Sequence, residues 1–319
     1  MSQHWSNRGH LLGLEDLSRD ELLSLLDEAA NLLPLARGEV TASTTLVGKT
    51  VATLFFENST RTRLSFTMAG RRLGAEVLDL NASTSSSSKG ETLLDTALNV
   101  QAMGVDGLVL RCTASGGPQL VARGVRIPVI NAGDGRHEHP TQGLLDALAL
   151  QQHFNQKTFD GLSIAIVGDI GSSRVARSNA HGLTALGANV ILTGPPALLP
   201  EAMADLVTSN GNPRGSLRLE HELDAVLESV DAIMMLRVQF ERHDGEIIAD
   251  DYAERYGLTV ARAARLRDGV PVLHPGPINR GTEIDPEVAD GNRSLIMDQV
   301  TCGVAVRMAV LQGLLTGAK

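Results

Sequence analysis

The stretch FFENSTRTRLSF, residues 55–66, sets a Ser-Thr pair and two arginines directly behind an apolar run. The run KTVATLFFE (49–57) is short and apolar and reads as a buried strand. STRTRLSFTMAGRRLG (59–74) reads as a helix capped by Ser59 or Asn58 and stopped at Gly74. An ordinary capped helix accounts for the cap. It leaves unexplained why basic residues occupy the first turn, where the helix dipole disfavours cations. An anion held there removes the conflict: backbone N–H groups, the hydroxyls of Ser59, Thr60 and Thr62, and the Arg61 guanidinium can converge on a phosphate.

Outward from this unit the pattern repeats. AEVLDL (75–80), DGLVLRC (106–112) and PVINAGD (128–134) read as strands, and GETLLDTALNVQAMG (90–104) as a helix. The rhythm starts again at LSIAIVGD (162–169) and runs through RVARSNAHGLTALG, NVILTGP, DAIMMLRV and VPVLHPGP (270–277). Alternating strands and helices predict an α/β chain of two domains, each a parallel sheet flanked by helices. Helices are also expected over 16–36, 139–154 and 294–315.

The chain has 319 residues, 43% hydrophobic and 20% charged, as in soluble globular proteins. A net charge of −9 argues against a nucleic-acid surface, and 3% aromatic content against base-stacking platforms. Any anionic ligand must then be held by a local cluster. No apolar run approaches the ~20 residues of a membrane helix, and the first twenty residues lack the apolar core of a signal peptide. The expectation is a cytoplasmic protein with no membrane partner. Cys112 and Cys302 lie far apart without CxxC spacing, which supports neither a disulfide framework nor structural zinc.

In open parallel sheets ligands bind beyond the carboxyl ends of the strands, and the chemically capable residues fall there. Arg111 ends DGLVLRC. The loop NAGDGRHEHPTQG (131–143) carries His137, Glu138 and His139, with Gln142 three residues on, on the same helix face as His139. HxH beside a carboxylate is compatible with a metal, but no third His or Cys stands at useful spacing; a histidine donating to a substrate carbonyl fits better. VGDIGSSR (167–174) supplies Arg174 and departs from the dinucleotide fingerprint, having G-x-x-G and no acid at the end of the next strand. Arg237 and Gln239 alternate and can face one side of an extended segment. In HPGPINRG two prolines fence Gly276, whose carbonyl could meet an amine; a cis bond to Pro277 is compatible with the spacing. STSSSSKGE (83–91), with Lys89, reads as a linker by composition, yet it lies inside a domain, where long loops tend to be functional. The sum is binding of two small anions, with catalysis by positioning and charge.

The motif F-x-E-x-S-T-R-T-R at Phe55–Arg63, with H-P-T-Q at His139–Gln142, resembles the signature of the transcarbamoylase family over essentially the whole chain, most closely its aspartate-specific catalytic chains. The resemblance implies a carbamoyl-phosphate domain, 1–139 plus a C-terminal helix returning over 296–319, and an aspartate domain, 140–295. It implies that Ser59, Thr60, Arg61, Thr62 and Arg111 hold the phosphate. Thr62, Arg111 and His139 would polarise the carbamoyl oxygen, and Gln142 would bind the carbamoyl amino group. Ser85 and Lys89 would reach a neighbouring subunit's site in a homotrimer. Arg174, Arg237 and Gln239 would hold the aspartate carboxylates, with Lys89, Gly276 and Pro277 completing that site.

The implied reaction is carbamoyl transfer from carbamoyl phosphate to the aspartate α-amine, in pyrimidine synthesis, with no cofactor and no metal. The ornithine-specific relatives usually carry H-P-C-Q and H-C-L-P; here HPTQ and HPGP stand, with Pro275 in the cysteine's place. Some aspartate-specific relatives have Leu where Gly276 stands. A non-catalytic anion-binding subunit is the reading from another class, and the intact Arg61, Lys89, Arg111 and His139 set weighs against it. The sequence does not distinguish a free trimer from one joined to regulatory chains or to a dihydroorotase-like partner.

Overall fold

In the computed structural model, residues 4–81, 91–207, 214–238 and 251–317 are described. Ser85, Lys89 and Gln239 lie outside them. The chain divides into two compact units, residues 1–148 with 301–319, and residues 149–300.

The first unit opens with helices α1 (Arg19–Asn31) and α2 (Leu33–Arg37). Ser18 caps α1 in a capping box with Glu21, the start that the sequence signals. Then follow β1 (Thr50–Phe55), α3 (Thr60–Arg72), β2 (Glu76–Asn81), α4 (Leu93–Ala102), β3 (Gly107–Cys112), α5 (Gly117–Gly124) and β4 (Val129–Asp134). The strands form one four-stranded parallel sheet in the order β2-β1-β3-β4. Strands β3 and β4 are buried along their whole length, as expected for a sheet covered on both faces. Ala52, Leu54, Leu108, Leu110 and Val129 pack with Ala97, Val100 and Val121 of the helices.

Helix α6 (Pro140–Phe154) leads into the second unit: β5 (Ser163–Val167), α7 (Arg174–Ala185), β6 (Asn189–Thr193), β7 (Ser216–Glu220), β8 (Ala232–Met235), α8 (Tyr252–Tyr256), α9 (Val260–Ala263), β9 (Val272–Leu273) and α10 (Pro286–Ala289). Its five strands are parallel in the order β7-β6-β5-β8-β9. VPVLHPGP yields a strand of only two residues, Val272–Leu273. The flanking Pro271 and Pro275 have no N–H to give the ladder.

Helix α11 (Ile296–Thr316) ends the described chain, and its residues from Thr301 on belong to the first unit. By length and apolarity alone it could cross a membrane, contrary to the sequence reading, but 67% of its most apolar window is buried. It is a core helix. A side chain at Gly313 would run into the Trp5 ring, so the close approach there admits only glycine.

Candidate active site

In each sheet the strand order reverses once, and a ligand crevice is expected at that point. In the first unit the chain goes from β1 outward to β2 and then crosses back to β3, so the switch lies between β1 and β3. The residues that follow β1 are Glu57 and the start of α3; Arg111 stands near the end of β3.

Ser59 is the N-cap of α3, in extended conformation, but its side chain makes no capping bond, unlike Ser18. The first turn holds no acidic residue, and Thr60 and Arg61 are exposed there. Arg63 turns back to Asp79 of β2, at 3.4 Å. Thr62 is buried, its Oγ1 3.5 Å from Nε2 of His139. Arg111, also buried, donates from Nη2 to Oε1 of Glu57 at 2.8 Å and from Nη1 to the Ala132 carbonyl at 3.3 Å. One guanidinium thus ties the segment behind β1 to strand β4, fixing its direction.

His139 and Gln142 are set by the loop behind β4. Asp134, fully buried, accepts from the backbone of Gly116 and Glu138 and from the Asn131 amide. The Glu138 carboxylate accepts from the backbone of Leu14 and Glu15. His137 lies between Asp134, 3.1 Å away, and Glu15, 3.6 Å away. Those carboxylates raise its pKa to about 10 against the opposing effect of burial. His137 therefore faces carboxylates while His139 faces Thr62, so the HxH pair does not point at one ion. Gln142, in the first turn of α6, donates from Nε2 to Oδ1 of Asp146 at 2.9 Å.

In the second unit the switch lies between β5 and β8. Arg174, buried, begins α7 behind β5, where Ser173 caps the helix. Arg237, half-buried, follows β8. Gly168 follows β5 at φ +138, and a Cβ there would lie 3.0 Å from the Leu236 carbonyl; only glycine lets the two strand ends approach. The turn after β9 holds Gly276 at φ +63, followed by a cis bond to Pro277. The Gly276 N–H donates to Nδ1 of His274 at 2.8 Å. Nδ1 therefore bears no proton, and Nε2 carries the hydrogen that meets Oε1 of Glu283 at 3.2 Å. The Asn279 N–H donates to the same carboxylate oxygen at 2.6 Å, and the Asn279 amide donates to the Val238 carbonyl at 3.2 Å. That last bond ties the 276–279 turn to the segment carrying Arg237.

Each unit thus gathers its own predicted residues: Ser59, Thr60, Arg61, Thr62, Arg111, His139 and Gln142 in the first, and Arg174, Arg237, Gly276 and Pro277 in the second. Sequence reasoning missed Glu57, Asp146, His274 and Glu283, which hold those residues. Glu57 was within sight, since it is the acid of the F-x-E-x-S-T-R-T-R motif.

Residues 9–152 match the family described as aspartate/ornithine carbamoyltransferase, carbamoyl-P binding domain, and residues 160–314 its Asp/Orn binding domain. The aspartate carbamoyltransferase catalytic subunit of Myxococcus xanthus is 52% identical over 305 residues, covering 95% of this chain and 98% of that protein. Aspartate transcarbamoylase from Trypanosoma cruzi, solved with carbamoyl phosphate and aspartate, superposes with a TM-score of 0.85 at 29% identity, over 95% of this chain and 96% of that one. Ornithine carbamoyltransferase from Gloeobacter violaceus superposes with a TM-score of 0.79 at 31% identity, over 97% and 99%. Two domain matches that together span most of the sequence, and a relative half identical along nearly its full length, leave one assignment: the chain belongs to the aspartate/ornithine carbamoyltransferase family.

Proposed function

We propose that the protein transfers the carbamoyl group of carbamoyl phosphate to the α-amine of L-aspartate, giving N-carbamoyl-L-aspartate and phosphate, in pyrimidine synthesis. The observation that carries the reading is the convergence of Arg111, Thr62 and His139 beside a helix start that has basic residues and no acid. The phosphate sits against the N-terminus of α3, held by Ser59, Thr60, Arg61 and Thr62. Thr62, Arg111 and His139 donate to the carbamoyl oxygen, where negative charge grows as the amine attacks the carbamoyl carbon. The tetrahedral intermediate collapses by breaking the bond to phosphate, whose leaving charge Arg61 and Arg111 offset and which carries off the proton the attacking amine gives up. No covalent enzyme intermediate is needed. The first unit binds carbamoyl phosphate, and the second binds aspartate.

Aspartate rather than ornithine follows from the second unit's chemistry. Arg174, Arg237 and Gln239 suit two carboxylates, while the Gly276 carbonyl accepts from the amine and Pro277 shapes the turn. An ornithine site would need a carboxylate for the side-chain ammonium instead. Ser85 and Lys89 act in the neighbouring subunit's site, in a cytoplasmic homotrimer. Leu64 and Met68 of α3 and Leu78 and Leu80 of edge strand β2 are exposed, an apolar surface suited to a second copy. Residues 82–90 follow β2 directly in the chain.

The test is turnover with carbamoyl phosphate and either L-aspartate or L-ornithine. Aspartate-only turnover is expected, lost in Arg61→Ala and in Lys89→Ala and partly regained on mixing the two variants. Turnover with ornithine alone, or none with either amine, overturns the assignment; no regain on mixing overturns the shared site.

A further inference from the structure

We give Gln142 the carbamoyl amino group, the role the family resemblance implies, and that leaves unexplained two buried charges of the first unit, Asp146 of α6 and Arg307 of α11. A carboxylate can only accept hydrogen bonds, so the Gln142 amide must present its NH2 to Oδ1 of Asp146, at 2.9 Å. The amide oxygen Oε1 is then turned the other way, as an acceptor. A carbamoyl group offers an NH2, a donor, to that oxygen. With the amide reversed, donor would face donor.

Arg307 of α11 is the other of these two buried charges. Its Nη1 donates to Oγ of Ser65 at 2.8 Å, and its guanidinium lies 5.2 Å from the centre of the Phe66 ring, so it is seated on α3, the phosphate-binding helix. Burial lowers its pKa to about 10, the Asp146 carboxylate works against that fall, and Arg111 adds to it. It therefore stays a cation at neutral pH, with Asp146 as its counter-charge. The space it fills exists because position 303 is glycine: a Cβ there would lie 2.6 Å from Nη1 and 3.0 Å from Leu145 of α6.

We infer that Asp146 is a positioning residue that fixes the Gln142 amide with Oε1 toward the carbamoyl NH2, and so contributes to substrate discrimination without touching substrate. The inference rests on the proposed role of Gln142. Its signature is selectivity for carbamoyl phosphate over acetyl phosphate, which has a methyl in place of the NH2. A site built to accept from an NH loses discrimination when its acceptor is misaimed, whereas a general loosening weakens both ligands alike.

The experiment measures dissociation constants of both ligands by calorimetry on the full chain. Asp146→Asn keeps the size but can either donate or accept, so the Gln142 amide is free to reverse. The ratio of the acetyl-phosphate to the carbamoyl-phosphate constant is expected to fall about fivefold or more, the worth of one hydrogen bond, to the value of Gln142→Ala, with no further fall in the double variant. A wild-type ratio in Asp146→Asn overturns the inference, whatever happens to its melting temperature. If Asp146→Asn does not fold, Asp146→Ala decides alone, an unchanged ratio overturning the inference. Failure of the function reading is separate: it shows as a wild-type protein without turnover of aspartate.

Discussion

The two units solve one topological problem with different chemistry. Each has a parallel sheet whose order reverses once, and each sets its candidate ligands beyond the strand ends at that reversal. In the first unit the groups are polar side chains and each is held by a charged partner: Arg111 by Glu57, Gln142 by Asp146, and the His139 loop by Asp134 and Glu138. In the second a backbone turn is fixed through an imidazole with an unprotonated Nδ1 between the Gly276 N–H and Glu283. The difference teaches that stabilising charge in a transition state needs charged donors already oriented, whereas receiving an amine needs only a carbonyl aimed in one direction.

The comparison breaks first at Arg111. If the first unit stabilises developing charge, Arg111→Ala should lower kcat by about 10²–10³, as removal of one oxyanion donor does. A fall of less than tenfold in steady-state turnover would assign the charge stabilisation elsewhere.

His274 sharpens the contrast from the other side. His274→Ala leaves Glu283 buried without its imidazole, at a cost of about 3 kcal/mol in stability, and frees the Gly276 amide. The expected kinetic signature is a higher KM for aspartate with carbamoyl-phosphate binding nearly unchanged. Glu283→Gln can still accept from Nε2 and should cost about 1 kcal/mol. Chemical denaturation together with KM for each substrate checks both variants, and equal loss of affinity for the two substrates would contradict a role confined to the second unit.

Much of this was legible because local rules and tertiary structure agree. The strand before STRTR, the Ser18 cap and the Pro140 start of α6 all follow from patterns a few residues long. The strand-end arginines were found because parallel sheets put ligands there. What escaped was non-local or weakly patterned. Strand β7 is half-exposed at a sheet edge, and α5 carries a glycine at each end. Arg307 meets Ser65 across 242 residues of sequence, and no spacing rule connects them. HPGP drew attention for its prolines, yet the histidine holding the turn gains its meaning only from Glu283, which the fold supplies.

His137 gives the smallest effect and the one that separates the units by pH. Its two ring nitrogens face Asp134 and Glu15, both as donors only when the ring is charged, and its pKa is raised to about 10 from an ordinary value near 6.5. A group whose folded pKa is raised contributes stability that is complete below the unfolded value and is lost as pH rises through the folded one. The window is therefore pH 6.5 to 10. Because the ring is about a quarter exposed, solvent screening reduces the contribution to about 1–2 kcal/mol. His137→Gln should melt lower than wild type at pH 6, and the gap should close steadily toward pH 10. A gap that stays constant across the series would mean that His137 acts by packing alone, and the His139 loop would then not be held by charge as the rest of the first unit is.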